Sequence, residues 1–371
     1  MSMPTTQSLS PAQEAETIPP RKAGALRLWL SCVAFLIAAM ILVGGATRLT
    51  DSGLSITEWQ PIIGAIPPLS DADWQEAFDS YKKIPEYSLV NQGMDLEGFK
   101  SIYWWEWAHR FLGRFIGIVF FVPFVGFWLA GYIPKSLFPR LLGLFVLGGL
   151  QGALGWYMVK SGLVDRVDVS QYRLAAHFGV AVLIFGYTIW LILGLRDGGR
   201  DHAVKAGSKV PAIVAGLVLT LVYLQLLAGA LVAGIDGGLG YNTWPLMNGA
   251  FIPSGLGEAD PWYLNLFENP LTVQFDHRML GYTVFTAAML QALWLSRRTN
   301  AASLRGSALT LGAFALLQVA LGIWTLLRAV PIELGLAHQA GALLVFAAAL
   351  YHFWQSTAGE RLPEGQTASS A

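Results

Sequence analysis

Eight stretches of this chain, residues 28–46, 111–130, 141–158, 174–193, 212–233, 279–295, 308–327 and 336–354, consist almost entirely of apolar residues. A helix of about 20 such residues crosses about 30 Å of hydrocarbon. Lipid offers no partner to backbone N–H and C=O groups, so each crossing must satisfy them internally, as a helix does. The pattern predicts an all-α integral membrane protein with eight transmembrane helices. Of the 371 residues 54% are hydrophobic and only 13% charged, about half the charge of soluble domains. That excludes a soluble enzyme. Lys+Arg 24 against Asp+Glu 24 gives no net charge and no basic face for nucleic acid. The single cysteine, Cys32, lies in the first apolar stretch, which rules out an internal disulfide and argues against a thiolate metal cluster.

Basic residues alternate along the chain. Arg21, Lys22 and Arg27 precede the first stretch; Lys135 and Arg140 separate the second from the third. Arg196, Arg200, Lys205 and Lys209 separate the fourth from the fifth, and Arg297, Arg298 and Arg305 the sixth from the seventh. Residues 234–274 contain no Lys or Arg at all. By the positive-inside rule both termini are cytoplasmic and the two long loops face outward. Residues 1–24, rich in Pro, Ser, Thr and Gln, and residues 358–371 read as disordered cytoplasmic tails. Glu14 and Glu16, with few basic residues nearby, argue against a mitochondrial transit peptide, so a bacterial inner membrane is expected. In the first long loop Ser70 and Asp73 read as a capping box, and Trp74, Phe78 and Tyr81 as an apolar stripe that packs on the bundle top or the membrane.

The two halves of the chain resemble one another. Asp51-Ser52-Gly53-Leu54 with Trp59 recurs as Asp236-Gly237-Gly238-Leu239 with Trp244. His109-Arg110-Phe111-Leu112-Gly113 recurs as His277-Arg278-Met279-Leu280-Gly281. Gln151 to Gly155 recurs as Gln318 to Gly322, and Ala176-His177 as Ala337-His338. Recurrence of His, Gln, Trp and Asp together does not arise by chance from apolar low complexity. The expected architecture is two four-helix bundles, residues 25–200 and 201–357, related by a parallel internal repeat.

Six histidines are present. His202 falls in a charged loop and His352 near the inner end of the last stretch, where solvated or interfacial side chains are expected. His109, His177, His277 and His338 instead begin even-numbered spans, all toward the outer surface, and polar residues at membrane depth are functional candidates. One histidine pair per half suits a flat macrocycle held between two axial ligands. Hydrogen bonding between helices and a proton relay remain the alternatives. Arg48, Arg110 and Arg278 lie at the same level and are candidate contacts for haem propionates, against ordinary snorkelling at a span end. Glu106 precedes His109 by three residues, on the same helix face, where the second half has Gln274. An acid beside one site alone suggests chemistry in the N-terminal half and electron storage in the other; a simple cap, or a pairing with Arg110, is the competing reading.

These residues resemble the haem A synthase family. The resemblance rests on Glu106-Trp107-Ala108-His109-Arg110, Ala176-His177, Asp276-His277-Arg278 and Leu336-Ala337-His338-Gln339. It rests equally on the run Gly45-Ala46-Thr47-Arg48-Leu49-Thr50 through Gly53-Leu54-Ser55 and Glu58-Trp59-Gln60-Pro61, and covers residues 24–355. It implies oxidation of the C8 methyl of haem O to a formyl group, by successive hydroxylations, for assembly of terminal oxidases. It implies substrate haem between His109 and His177, with Glu106 catalytic, and a haem B cofactor whose iron is ligated by His277 and His338. Haem O, haem O synthase, membrane lipid and an electron acceptor are the implied partners, and a homo-oligomer is compatible with them. The first long loop lacks the cysteine pair of one bacterial branch, so the chain looks closer to the alphaproteobacterial and mitochondrial branch. A di-haem b-type electron-transfer cytochrome linked to quinol meets the same residue pattern. A transporter fits less well, because its polar groups would cluster at midplane.

Overall fold

The computed structural model describes residues 18–58, 63–165, 167–196 and 209–357. Trp59, Gln60, Pro61, Arg200, His202, Lys205, the 200/201 boundary between the halves and most of both expected tails lie outside the described residues. Eleven α-helices occur in the described residues: α1 (Pro20–Leu49), α2 (Asp71–Tyr81), α3 (Pro85–Leu89), α4 (Leu96–Leu129), α5 (Phe138–Asp165), α6 (Gln171–Arg196), α7 (Val210–Gly234), α8 (Asn265–Glu268), α9 (Pro270–Arg298), α10 (Ala302–Leu327) and α11 (Ile332–Thr357). Eight of them (α1, α4, α5, α6, α7, α9, α10 and α11) are long and apolar enough to cross a membrane. The described residues contain no strand, only an isolated bridge between Met247 and Ala250.

α1 packs on α4 and α6, while α5 closes the ring between α4 and α6. α7, α9, α10 and α11 form a second ring in the same order. The two rings join where α6 meets α7 and α11 meets α1. Much of the buried apolar core lies at this seam. Leu26, Leu30, Val33, Ile37 and Ile41 line one face of α1, and Val182, Phe185, Val218, Val222, Phe346 and Ala349 meet it from the other seam helices. The rings are not equally tight. α5 lies loosely against both its neighbours, whereas α10 packs closely on α9 and α11. α4 and α5 accordingly bury about half or less of what α9 and α10 bury in their apolar windows.

Several helices outrun their apolar stretches. α1 begins at Pro20, inside the segment read as tail, because proline at the first position needs no N–H partner. α4 starts at Leu96, far before the apolar residue 111, with Asp95 as its N-cap accepting from Gly98 N–H at 2.8 Å. Its amphipathic first turns are held by a cap over the bundle end. There the expected Ser70–Asp73 capping box forms, and Trp74, Phe78 and Tyr81 are buried against Phe99, Ile102 and Tyr103. The stripe therefore packs on the bundle. Glu106 and His109 consequently lie well inside a helix, not at its beginning.

Candidate functional site

Glu106 is 1% exposed, deep in α4 and far from its N-terminus, so it caps nothing. Its Oε2 accepts from Ser55 Oγ at 2.8 Å and from the Ile56 backbone N–H at 2.6 Å. Its Oε1 accepts from Arg110 Nε at 3.0 Å and Nη2 at 2.5 Å. The expected pairing with Arg110 is present and is one part of a four-donor cradle. Arg110 also donates to the carbonyls of Glu58 and Ile56 at 3.1 and 2.8 Å. In the other ring Arg278 makes the corresponding bonds, to the carbonyls of Thr243 and Tyr241 at 2.9 and 2.6 Å and to Gln274 Oε1 at 2.9 Å. Gln274 donates to the carbonyls of Gly237 and Gly240 at 2.7 and 2.8 Å. One position thus only accepts hydrogen bonds beside His109, and both accepts and donates beside His277. The loops that follow α1 and α7 turn alike, since Asp51 and Asp236 both adopt positive φ, 49° and 53°. Arg48 sits between those loops. It donates to Asp51 Oδ1 at 2.5 Å, Asp236 Oδ2 at 2.7 Å and the Ala233 carbonyl at 2.9 Å, stitching the rings together. Its guanidinium and that of Arg110 are thus engaged within the protein.

Each of the four histidine rings is laid against a glycine. A Cβ on Gly155 would stand 2.9 Å from His177 Cε1, one on Gly322 2.8 Å from His338 Cε1, one on Gly229 3.1 Å from His277 Cε1, and one on Gly44 3.0 Å from His109 Nε2. Only glycine lets the rings approach this closely. Three of the four glycines follow a glutamine by four residues, one helical turn. Gln151 Nε2 donates to the His177 carbonyl at 2.8 Å, Gln225 Nε2 to that of His277 at 3.0 Å and Gln318 Nε2 to that of His338 at 2.8 Å. The same amide nitrogens lie 3.1 Å from the Nδ1 atoms of His277 and His338. At the fourth place stands Met40, whose Cε packs 3.2 Å from where a Cβ on Gly113 would be, as Gln225 Nε2 does at Gly281.

A metal-bound imidazole presents an N–H on its second nitrogen to a nearby acceptor. The Oε1 atoms of Gln151, Gln225 and Gln318 are all buried without a partner, as is His177 Nδ1. Rotating each terminal amide would offer that acceptor, and such orientations are assigned from the surrounding network. The His277 and His338 ring centroids lie 6.5 Å apart at an interplanar angle of 81°. Two metal–imidazole bonds of about 2 Å each, plus the half-width of two rings, fill such a gap. Among the described residues no group of three or more His, Cys, Asp or Glu could hold a bare ion. The donor set therefore fits a metal whose remaining ligands come from a macrocycle.

The surroundings differ in other respects. Trp107 stacks on Phe111 at 5.0 Å, Phe111 continues to Phe115, and Trp104 and Trp105 are exposed. This aromatic ladder runs down the open side of the looser ring. His352 departs from its expected place at the interface: it is wholly buried and its Nδ1 lies 2.8 Å from Ser307 Oγ. The helix turns it inward, where Ser307 supplies a partner. Sequence reasoning passed over Ser55, Met40 and Gln225, and left the glycines without a role. The signal was present, because a lone glutamine inside an apolar span is costly unless it has work to do.

The family described as cytochrome oxidase assembly protein matches residues 27–350. A heme A synthase of Parvibaculum lavamentivorans is 54% identical over 328 residues, 88% of this chain and 93% of its own length. That of Mesorhizobium japonicum is 49% identical over 339 residues, 91% and 92% of the two chains. A third, from Nitrosospira multiformis, is 49% identical over 330 residues, 88% and 92%.

Proposed function

Because the chain belongs to the family of cytochrome oxidase assembly proteins, we propose that it is a haem A synthase, an oxidoreductase of the bacterial inner membrane that converts the C8 methyl of haem O to a formyl group. His109 and His177 hold the substrate haem, and His277 and His338 the iron of a resident haem B. Both termini are cytoplasmic and both sites lie toward the periplasmic side, with haem O synthase as the supplier of substrate. The observation that carries this reading is the buried Glu106 carboxylate, one turn from His109, where the matching position beside His277 is the neutral Gln274. A cytochrome that merely stores electrons has no need of that difference.

When bound, haem B supplies one-electron chemistry. The protein's own part is positional. Arg110, Ser55 and the Ile56 backbone N–H fix the two Glu106 oxygens in one orientation. From there it can accept a proton as the substrate methyl is oxidised and pass it on through its hydrogen-bonded neighbours. Arg278 has a buried Nε without a partner and remains the candidate propionate contact of its ring. The test is extraction and chromatographic identification of the haems of the purified protein, expressed with and without a source of haem O. Haem B alone without it, joined by haem O, a hydroxylated intermediate or haem A with it, is the expected result. Two equivalents of haem B under both conditions would overturn the reading in favour of an electron-transfer cytochrome.

A further inference from the structure

Three of the four histidines are gripped by the same device, a glutamine one helical turn before a glycine, and in all three the ring turns the same edge to the glycine. The nearest ring atoms are Cε1 then Nδ1 at Gly155, Gly229 and Gly322. His109 is the exception in both respects. Met40 replaces the glutamine, so no side-chain amide bonds His109 among the described residues, and the ring is reversed, with Nε2 and then Cδ2 nearest Gly44. The correlation has a physical cause. At His277 and His338 an amide beside Nδ1 sets which ring edge faces the helix, and at His177 the amide anchors the backbone carbonyl beneath the ring. A thioether can do neither, because methionine is a weak acceptor and donates nothing. His109 also stands in the looser of the two rings.

We infer that Met40 makes His109 the releasable ligand of the pair, the one that swings to admit and discharge a haem, while the glutamine clasps at His177, His277 and His338 hold their rings in ligating orientation. This rests on the assignment of the N-terminal ring to substrate. It goes further by naming the residue that separates a site that exchanges its haem from one that retains it. Met40 and Gln225 act through the histidines and are positioning residues.

The experiment uses the full-length protein in detergent, loaded with haem O, and follows transfer of haem to excess apomyoglobin. Met40→Gln is expected to slow release from the N-terminal ring about 10–100-fold, the usual scale of partners that orient a metal ligand, and to leave haem B release unchanged. Gln225→Met is expected to speed haem B release by a similar factor. It should also raise the midpoint potential of haem B, about 59 mV for each tenfold change in relative affinity for the two iron states. Gln225→Glu keeps an acceptor and should lower the potential, a shift that a packing role would not produce. Should Met40→Gln release haem at the wild-type rate while still forming haem A, the inference is overturned and the synthase reading stands. Equal potentials in Gln225→Met, Gln225→Glu and wild type overturn it as well. Slowed release in a protein that never forms haem A would support the clasp and refute the synthase reading instead.

Discussion

The two rings of this protein are built on one plan and differ in how firmly they grip. In the C-terminal ring both histidines have glutamine clasps, the rings stand 6.5 Å apart, and α10 packs closely on its neighbours. In the N-terminal ring one clasp is missing, α5 is loose, and an acid occupies the place of an amide. On the proposed assignment, the tighter packing suits a cofactor that is retained and the looser packing a substrate that must leave. The difference teaches that two rings with the same helix order can be distinguished at a few side chains and by how closely one helix is packed.

The contrast breaks most simply at the ligands. His277→Ala or His338→Ala is expected to abolish haem B binding, whereas His109→Ala and His177→Ala leave haem B content near wild type. Haem content of the purified variants is the measurement. A low-spin bis-histidine spectrum surviving in both C-terminal variants would dissolve the assignment.

Exchanging the paired acid and amide sharpens it further. Glu106→Gln is expected to leave haem B in place and to reduce haem A formation about 10²–10⁴-fold, the range of a lost proton-transfer group. Normal haem A yield would remove Glu106 from the chemistry. The reverse change, Gln274→Glu, sets a carboxylate against the carbonyl oxygens of Gly237 and Gly240. Arg278 still pairs with one carboxylate oxygen, so the cost is that of the unpaired carbonyls facing the other, about 1–3 kcal/mol, and a drop in thermal stability should report it. The two positions are therefore not interchangeable in either direction.

Smaller effects follow from the glycines. Gly322→Ala drives a methyl to 2.8 Å from His338 Cε1 and Gly155→Ala to 2.9 Å from His177 Cε1. Overpacking of this kind costs about 1–3 kcal/mol. Gly322→Ala is expected to lower haem B content several-fold, and Gly155→Ala to lower turnover with haem B unchanged. Identical haem B content in both variants would show that the rings have room to spare.

Much of this organisation is legible in the amino-acid sequence, and the parts that are not have physical reasons. Apolar length alone locates all eight spans, since lipid imposes that constraint residue by residue. It misplaces the start of α4, because residues 96–110 are held by the cap of α2 and α3 and not by lipid. The pairing of His109 with His277 and His177 with His338 follows from repeated motifs. The Met40 and Gln225 difference is written in the same alignment, at the spacing that pairs Asp51 with Asp236, but becomes meaningful only when both side chains are seen above equivalent glycines. His352 shows the limit of depth arguments, because a position near a helix end says nothing of which face the residue occupies.

The smallest predicted effect concerns the loops and again separates the rings. The cap over the N-terminal ring buries Glu86, 3% exposed, which accepts from Tyr81 Oη at 3.0 Å and Asn91 Nδ2 at 3.3 Å. Burial pushes its carboxyl up to about 8, so the folded cap holds a proton that an unfolded chain would release near pH 4.5. Between those values the folded form binds more protons, and stability must fall as pH rises. Within the loop over the C-terminal ring the fastenings are neutral, with Asn265 bonding the Ala259 backbone, Asn269 the Gly255 carbonyl and Thr272 the Leu256 carbonyl. The Glu268 carboxylate reaches outward and accepts from Gln171 and Tyr172 of α6. Hydrogen exchange from pH 5 to 8 should therefore reveal progressive loosening around Tyr81 and Phe99, with little change around Asn265. Glu86→Gln keeps an acceptor for Tyr81 and should flatten the first trend. Equal pH sensitivity in the two loops, or a Glu86→Gln cap that still loosens as pH rises, would place the titrating group elsewhere and erase this difference between the rings.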